Sequence, residues 1–309
     1  MEIKINKMEQ WEKIANEFFS KEFEGYKRNL LSGRRPDGVR FVDIETDARR
    51  RDLTINALYY DIDKGEIVDL VGGYHDIKNN IVRTVGNPVD RFSEDRLRIM
   101  RVLRFAARMG SELDGDVKKA LGIDSSLEGI SAERIRDEFI KGIKSAKSVK
   151  YFLVLLDQYG IFDWVLRGLK VNRKYIEERD VVLVVSFLLV GNDINLVQRR
   201  LNELKYTIDE VRGIVFLLRL LDLSMENAVQ LKRMRDKVGL SDDQIRKFGV
   251  YVGIDRNLLE SFISFRLTVK GEDIMRDMGV KQGKELGDII NQIEYNNFLN
   301  GLTRRNLKD

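Results

Sequence analysis

From residue 91 almost to the end of the chain, apolar side chains recur at helical spacing and no proline interrupts them. The two prolines of the 309-residue chain, Pro36 and Pro88, both lie earlier. Proline removes a backbone donor and clashes with the preceding turn, so a long proline-free stretch with a 3.6-residue period points to packed helices. The expected fold is mostly α, with a small α/β portion at the N-terminal side. Helices are expected over 131–143, 147–158, 174–191, 195–205, 208–221 and 225–238. In a tail over 270–300, Gly271, Gly279, Gly283 and Gly287 are expected to punctuate short helices. Before residue 91 the pattern is mixed. We expect a strand at 1–5, an amphipathic helix at 8–19, a turn at 33–38, a strand at 39–44 and a helix at 53–60. Short strands at 67–70 and 81–85 flank Gly72 and Gly73.

Composition narrows the chemistry. With no cysteine there is no disulfide framework and no zinc–thiolate site, and the single histidine, His75, argues against a histidine-based metal site or triad. The longest apolar run, 181–190, is too short to span a bilayer and reads as a buried helix. Nothing at the N-terminus reads as a signal peptide, so a cytoplasmic protein with no membrane partner is expected. Charged residues make up 34% of the chain with a net charge of +4, which suits an anionic partner.

The stretch from Arg91, RFSEDRLRIMRVLRFAARMG, is the most distinctive. Ser93 is read as its N-cap, with Glu94 and Asp95 in the first turn where the helix dipole favours them. Glu94, Arg98, Arg101 and Arg108 fall on one stripe. Glu94 stands four residues before Arg98, the order that favours an ion pair fixing the arginine fork. Asp95 only accepts hydrogen bonds and Arg98 only donates them. Cytosine and adenine offer an amino donor beside a ring-nitrogen acceptor, whereas guanine and uracil offer the reverse. A coplanar Asp95/Arg98 pair would therefore accept C or A and leave groups unpaired on G or U. Taken alone, the stripe reads more readily as a solvated helix face with ordinary surface ion pairs.

Two more segments stand out. Arg49, Arg50 and Arg51 precede Asp52 and Asn56; consecutive arginines suit phosphate, Asp52 a ribose hydroxyl or an arginine, and Asn56 either partner. A basic loop followed by a capped helix is the alternative. In DLVGGYHD, from Asp69, the double glycine Gly72-Gly73 reads as a flexible turn, with His75 an ordinary loop histidine.

These motifs occur in order. GRRPDGVRF (from Gly33), RRDLTINAL (from Arg50), DLVGGYHD, VGNPVDRFSEDRLRIMRVLRFAARMG (from Val85) and ISAERIRDEF (from Ile130) together resemble the bacterial-type (class II) tRNA nucleotidyltransferase and poly(A) polymerase family. KGEDIMRDMGVKQGKELGDII, from Lys270, resembles that family's tRNA-binding tail and favours the CCA-adding branch. The resemblance implies a partial nucleotidyltransferase head at 1–60, a neck with a nucleotide-selecting helix at 61–145, a helical body at 146–265 and a tail at 266–309, in an elongated arrangement. It implies that Arg50, Arg51, Asp52 and Asn56 hold ribose and phosphates. Asp69, Gly72, Gly73 and Asp76 match a flexible loop between head and neck. Glu94, Asp95 and Arg98 match an amino-acid template choosing CTP and then ATP, with Arg101 reaching a phosphate or the template acid. It further implies tRNA as partner, Mg2+ as cofactor and nucleotidyl transfer as the reaction.

One departure stands against that reading. The family's Gly-Gly loop and metal-binding Asp-x-Asp pair do not precede Gly33 in this sequence; Asp61 and Asp63 form an Asp-x-Asp, but after the ribose motif. Glu22 and Glu24 are the candidates for a head carboxylate. The alternatives are a catalytically silent or split-enzyme binding subunit whose head comes from a separate chain, and a poly(A) polymerase. Basic groups at Arg199-Arg200, Lys232-Arg233, Arg235, Arg246-Lys247 and Arg304-Arg305 are expected to track RNA phosphates.

Overall fold

The structure, a computed structural model, describes residues 43–61 and 65–306. The expected elements at 1–5, 8–19 and 33–38, Asp63, and the candidates Glu22 and Glu24 lie outside the described residues. The chain divides into two compact units, Met1–Thr46 and Asp47–Asp309. In the first, Asp43 accepts from the backbone N–H of Thr46 at 2.7 Å. Ile44, expected to end a strand, begins a helix instead: α1 (Ile44–Arg50) closes on the basic Arg49 and Arg50.

The second unit opens with a 3-10 turn (Thr54–Asn56) and a hairpin of β1 (Leu58–Asp61) and β2 (Glu66–Asp69), antiparallel with Leu58 opposite Asp69. A helix was expected over 53–60. The segment cannot wind into one because residues 58–61 are paired with 66–69 in the hairpin; ahead of them, Thr54 N–H donates to Arg83 O at 3.0 Å and Asp52 O accepts from Val85 N–H at 3.1 Å. The aromatic Tyr59 and Tyr60 suit a strand. After α2 (Gly73–Lys78), β3 (Ile81–Val82) pairs in parallel with β4 (Glu112–Leu113).

Between these strands lie α3 (Pro88–Glu94) and α4 (Leu97–Met109). The sequence suggests one helix beginning at Ser93; the structure has two, with the break at Asp95. Asn87 caps α3 by accepting from Val89 N–H at 2.9 Å, and Pro88 occupies the first helical position. Ser93 therefore falls in the last turn of α3, where its hydroxyl donates to Val89 O at 2.9 Å. Asp95 leaves the helical region (φ −149°, ψ 104°) and accepts from Leu97 N–H at 3.0 Å. Asp favours this local bond over helix continuation, so Glu94 and Asp95 sit at a junction and not in a first turn.

Behind α4 lies the larger core. Ile99, Met100, Val102, Leu103, Ala106 and Ala107 are fully buried, each of the larger side chains stabilising the fold by roughly 1.5–3 kcal/mol. They pack against α6 (Ala132–Ser145) and α7 (Val149–Gln158), which follow α5 (Gly115–Ile123). After the short α8 (Phe162–Val165), the apolar run forms the buried α9 (Val181–Leu188). This helix is shorter than the expected 174–191. The carboxylate of Glu177 is committed to Val149 N–H at 2.6 Å and Ser148 Oγ at 2.8 Å, and Asp180 caps α9 at Leu183 N–H.

Helices α10 (Ile194–Glu203), α11 (Ile208–Arg219), α12 (Ala228–Arg235), α13 (Asp242–Val252) and α14 (Arg256–Ser264) follow. A second core gathers Phe216, Phe248, Phe262 and Phe298, with the Phe216 and Phe262 rings 6.5 Å apart. In the tail, α15 (Gly271–Met278) ends at left-handed Gly279, but α16 (Lys284–Asn306) runs on through Gly287. The expected short helices merge because packing outweighs the roughly 1 kcal/mol cost of a helical glycine: Phe298 is buried and Glu294 accepts from Thr268 and Val269 N–H, both at 2.6 Å. Among the described residues no helix is long and apolar enough to cross a membrane.

Candidate functional site

Two segments that the sequence marks separately meet through one ion pair. Arg101, on α4, donates Nε to Asp52 Oδ2 at 2.5 Å. The other oxygen of Asp52 accepts from Leu53 N–H at 2.9 Å and from the Asn56 amide at 3.2 Å. Burial pushes the Asp52 carboxyl up, but the charge and hydrogen bond of Arg101 outweigh it and hold the group below its usual range. Asp52 is thus an ionised acceptor whose orientation is fixed from both sides.

Arg50 and Arg51 are less free than a run of arginines suggests. Asp47, one helical turn earlier, accepts from Arg50 Nε at 2.6 Å, from Arg51 Nη2 at 2.7 Å and from the Tyr59 hydroxyl at 2.8 Å. Burial acts upward on Asp47, yet the Tyr59 hydrogen bond and the two arginines bring its carboxyl down to about 2. The i+3 and i+4 spacings carried this signal. The Arg50 side chain stays 64% exposed.

At the α3–α4 junction, Glu94 binds both Arg91 Nη1 and, through a short contact, Arg98 Nη1, as the i+4 order anticipates. Hydrogen bonds from Arg98 and then Arg91 hold the Glu94 carboxyl below its usual range. Arg98 Nη1 also donates to Arg91 O at 3.1 Å, while its Nε and Nη2 edge meets no partner among the described residues. Both oxygens of Asp95 are held: Oδ1 by Leu97 N–H and Oδ2 by Arg134 Nη2 of α6, at 2.9 Å. Arg91 and Arg134 were not singled out by sequence, though each belongs to a motif string that was.

The stripe continues inward. The guanidinium carbons of Arg101, Arg104 and Arg108 lie 5.8, 4.4 and 5.9 Å from the centre of the Phe105 ring. Arg104, which the stripe omitted, is buried and donates Nε to the equally buried Glu138 at 2.7 Å. Burial pushes Glu138 up, and the charges of Arg104 and Lys141 return it below its usual range.

The double glycine lies in a turn whose backbone amides converge on one carboxylate. Asp69 collects the backbone N–H groups of Val71, Gly72, Gly73 and Tyr74 at 2.9–3.2 Å. Gly72 is left-handed (φ 82°), and a Cβ on Gly73 would stand 2.2 Å from Thr54 O. Buried Asp76 accepts from Thr54 Oγ1 at 2.7 Å and faces Arg83 Nε at 3.2 Å. The turn therefore buttresses the 3-10 turn that presents Asn56. Exposed His75 meets the Asn79 amide and lies 3.9 Å from Asp76 Oδ1.

A cleft of about 550 Å3 is lined by Arg49, Thr54, Arg83, Arg91 and Asp114 among others. Asp52, Asp95, Arg98 and Arg101 do not line it, so we place the site on the residue network and not in that cleft. Among the described residues no three carboxylates or histidines cluster so as to hold a metal ion; Asp61 closes β1 opposite Glu66.

The expected basic track is thinner than its sequence. Lys232 is buried, with Nζ donating to Phe262 O at 3.1 Å and Ile263 O at 3.0 Å, and so does not face phosphate. Arg200, Arg235, Arg246 and Lys247 each pair with a carboxylate. Arg304 and Arg305 have no described side chains.

Comparison with known proteins converges on one group. Residues 7–83 match the model of the poly A polymerase head domain, and residues 119–172 that of a probable RNA- and SrmB-binding site of polymerase A. Over 292 residues the chain is 33% identical to the CCA-adding enzyme of Ligilactobacillus salivarius, covering 86% of this chain and 72% of that protein. Among solved structures it is similar to the Bacillus stearothermophilus CCA-adding enzyme in complex with CTP, with a TM-score of 0.60 and 21% identity, covering 87% of this chain and 76% of that one. The Thermotoga maritima CCA-adding enzyme complexed with tRNA is similar at a TM-score of 0.59 and 19% identity, covering 82% of this chain and 70% of that one.

Proposed function

The chain belongs to the CCA-adding enzyme family, and on that premise we propose that it is a tRNA nucleotidyltransferase that adds C and A to tRNA 3′ ends without a nucleic-acid template. CTP and ATP are its substrates and the tRNA acceptor end is its partner. The observation that carries the site assignment is the Arg101–Asp52 bond at 2.5 Å, which joins the Arg50-Arg51-Asp52 segment to the helix that carries Arg98.

Each residue has a task. Arg98 donates from its Nε and Nη2 edge to the ring nitrogen of cytosine or adenine, and Asp95 accepts from the amino group. G and U would confront donor with donor and acceptor with acceptor, which leaves buried groups unpaired. Glu94 fixes the Arg98 fork. Asp52, kept ionised by Arg101, takes a ribose hydroxyl together with Asn56. Arg50 and Arg51 receive triphosphate oxygens in exchange for part of their contact with Asp47. The segment with Asp69, Gly72, Gly73 and Asp76 supports that cradle from behind. Mg2+ is the expected cofactor, and no step is derived through it here. The division into head (1–60), neck (61–145), body (146–265) and tail (266–309) follows from the same premise.

The test is equilibrium binding and incorporation with each nucleotide separately. Arg98→Ala is expected to lower the preference for CTP and ATP over UTP and GTP by at least about tenfold. Alanine at Arg173, which pairs with Asp157 on a different helix, leaves the preference unchanged. Equal discrimination by wild type and Arg98→Ala refutes the assignment.

A further inference from the structure

The guanidinium of Arg91 is spent in three directions at once. Its Nε donates to Val85 O at 2.6 Å, its Nη1 to both oxygens of Glu94 at 3.1 and 2.8 Å, and its Nη2 to the carbonyl of Arg49. The side chain is only 18% exposed, although the Glu94 carboxylate that it grips is half exposed. Arg98 Nη1 is held by that same carboxylate and by the main-chain carbonyl of residue 91 itself. One of the two anchors of Arg98, the Glu94 carboxylate, is therefore set by the Arg91 side chain, and the other is the main chain at the same residue. The third direction leads to the residue immediately before Arg50, Arg51 and Asp52.

We propose that Arg91 is a positioning residue that sets base selection through Glu94 and Arg98, and that its bond to the Arg49 carbonyl couples that setting to the segment holding ribose and phosphates. The inference rests on the reading of Arg98 given above. A planar fork with fixed donor directions can serve three acceptors; an ammonium cannot reproduce that geometry even though it keeps the charge. Without the fork Glu94, half in water, keeps only its bond to Arg98, so that carboxylate no longer fixes the direction of the Arg98 fork. Arg91 touches no nucleotide in this scheme. Its effect should appear in the ratio of affinities between bases and not in affinity as such, and it should be absent once Arg98 is gone.

The experiment is calorimetric binding of CTP, ATP, UTP and GTP to the full chain, for wild type, Arg91→Lys, Arg98→Ala and the double variant, with thermal melts alongside. Arg91→Lys is expected to lower the CTP-over-UTP ratio about tenfold, the scale of one misdirected charge-assisted hydrogen bond. The double variant should discriminate no worse than Arg98→Ala alone. If Arg91→Lys weakens all four nucleotides equally, or only lowers Tm, the proposal fails while the reading of Arg98 stands. If Arg98→Ala keeps full discrimination, that reading fails and the proposal with it. Glu94→Gln, which keeps the shape and removes the charge shared by both arginines, gives a second route: an unchanged ratio there also overturns the proposal.

Discussion

Replacing Arg104 with methionine tests how this family of arginines is divided between function and support. Arg104 and Glu138 are each 4% exposed in their side chains and 2.7 Å apart. Removing the cation leaves a buried carboxylate, which typically costs about 3–5 kcal/mol. Lys141 stays 3.2 Å from the other Glu138 oxygen, but it is 60% exposed and only partly compensates. We therefore expect the lower end, about 3 kcal/mol. At about 2.1 cal/mol/K of unfolding entropy per residue, the unit from Asp47 to Asp309 would lose about 5 °C in Tm. The double variant Arg104→Met/Glu138→Leu removes the stranded charge and should recover to within about 1 kcal/mol of wild type, because apolar replacements of buried pairs are near neutral. Scanning fluorimetry and circular-dichroism melts read both. A single variant that melts within about 1 °C of wild type, or a double variant whose loss equals or exceeds that of the single, would show that the pair does not carry the stability assigned to it.

Further outcomes are open to measurement. Affinity for tRNA should fall with salt, with a log–log slope more negative than about −2, at roughly −0.7 to −0.9 per neutralised phosphate; a flat response would remove RNA-backbone binding from the picture. Lys232 supplies a pH signature. Burial, and then the charge of Arg266, lower its pKa to about 8, against about 10.4 in an unfolded chain. Between those values the unfolded state binds more protons, so stability should rise with pH and level off above pH 10.4. Melts of wild type against Lys232→Met over that range should show the wild type gaining; a parallel pair of curves would contradict it.

The sequence by itself was enough for the helical character of the chain, because proline-free 3.6-residue periodicity is a local property that each helix satisfies with its own backbone. Its ordered motifs were also enough for the family, and they are what put forward Asp52, Glu94, Asp95, Arg98 and Arg101 as candidates. The Glu94–Arg98 pair was legible for the same reason: residues four apart on a helix must be neighbours. What needed the tertiary structure involves partners far apart in the chain. Residues 53–60 look helical until residues 66–69 pair with 58–61. Residues 91–110 look like one helix, and the break comes at Asp95, whose second oxygen is held by Arg134, 39 residues on. Lys232 looks like a phosphate contact and proves to cap two carbonyls of α14 from inside the core. No local pattern distinguishes Arg101, which reaches Asp52 across 49 residues, from Arg104, three positions on and buried against Glu138. Both are arginines on the same helix, and which carboxylate each one meets is decided by how the neighbouring segments pack against it.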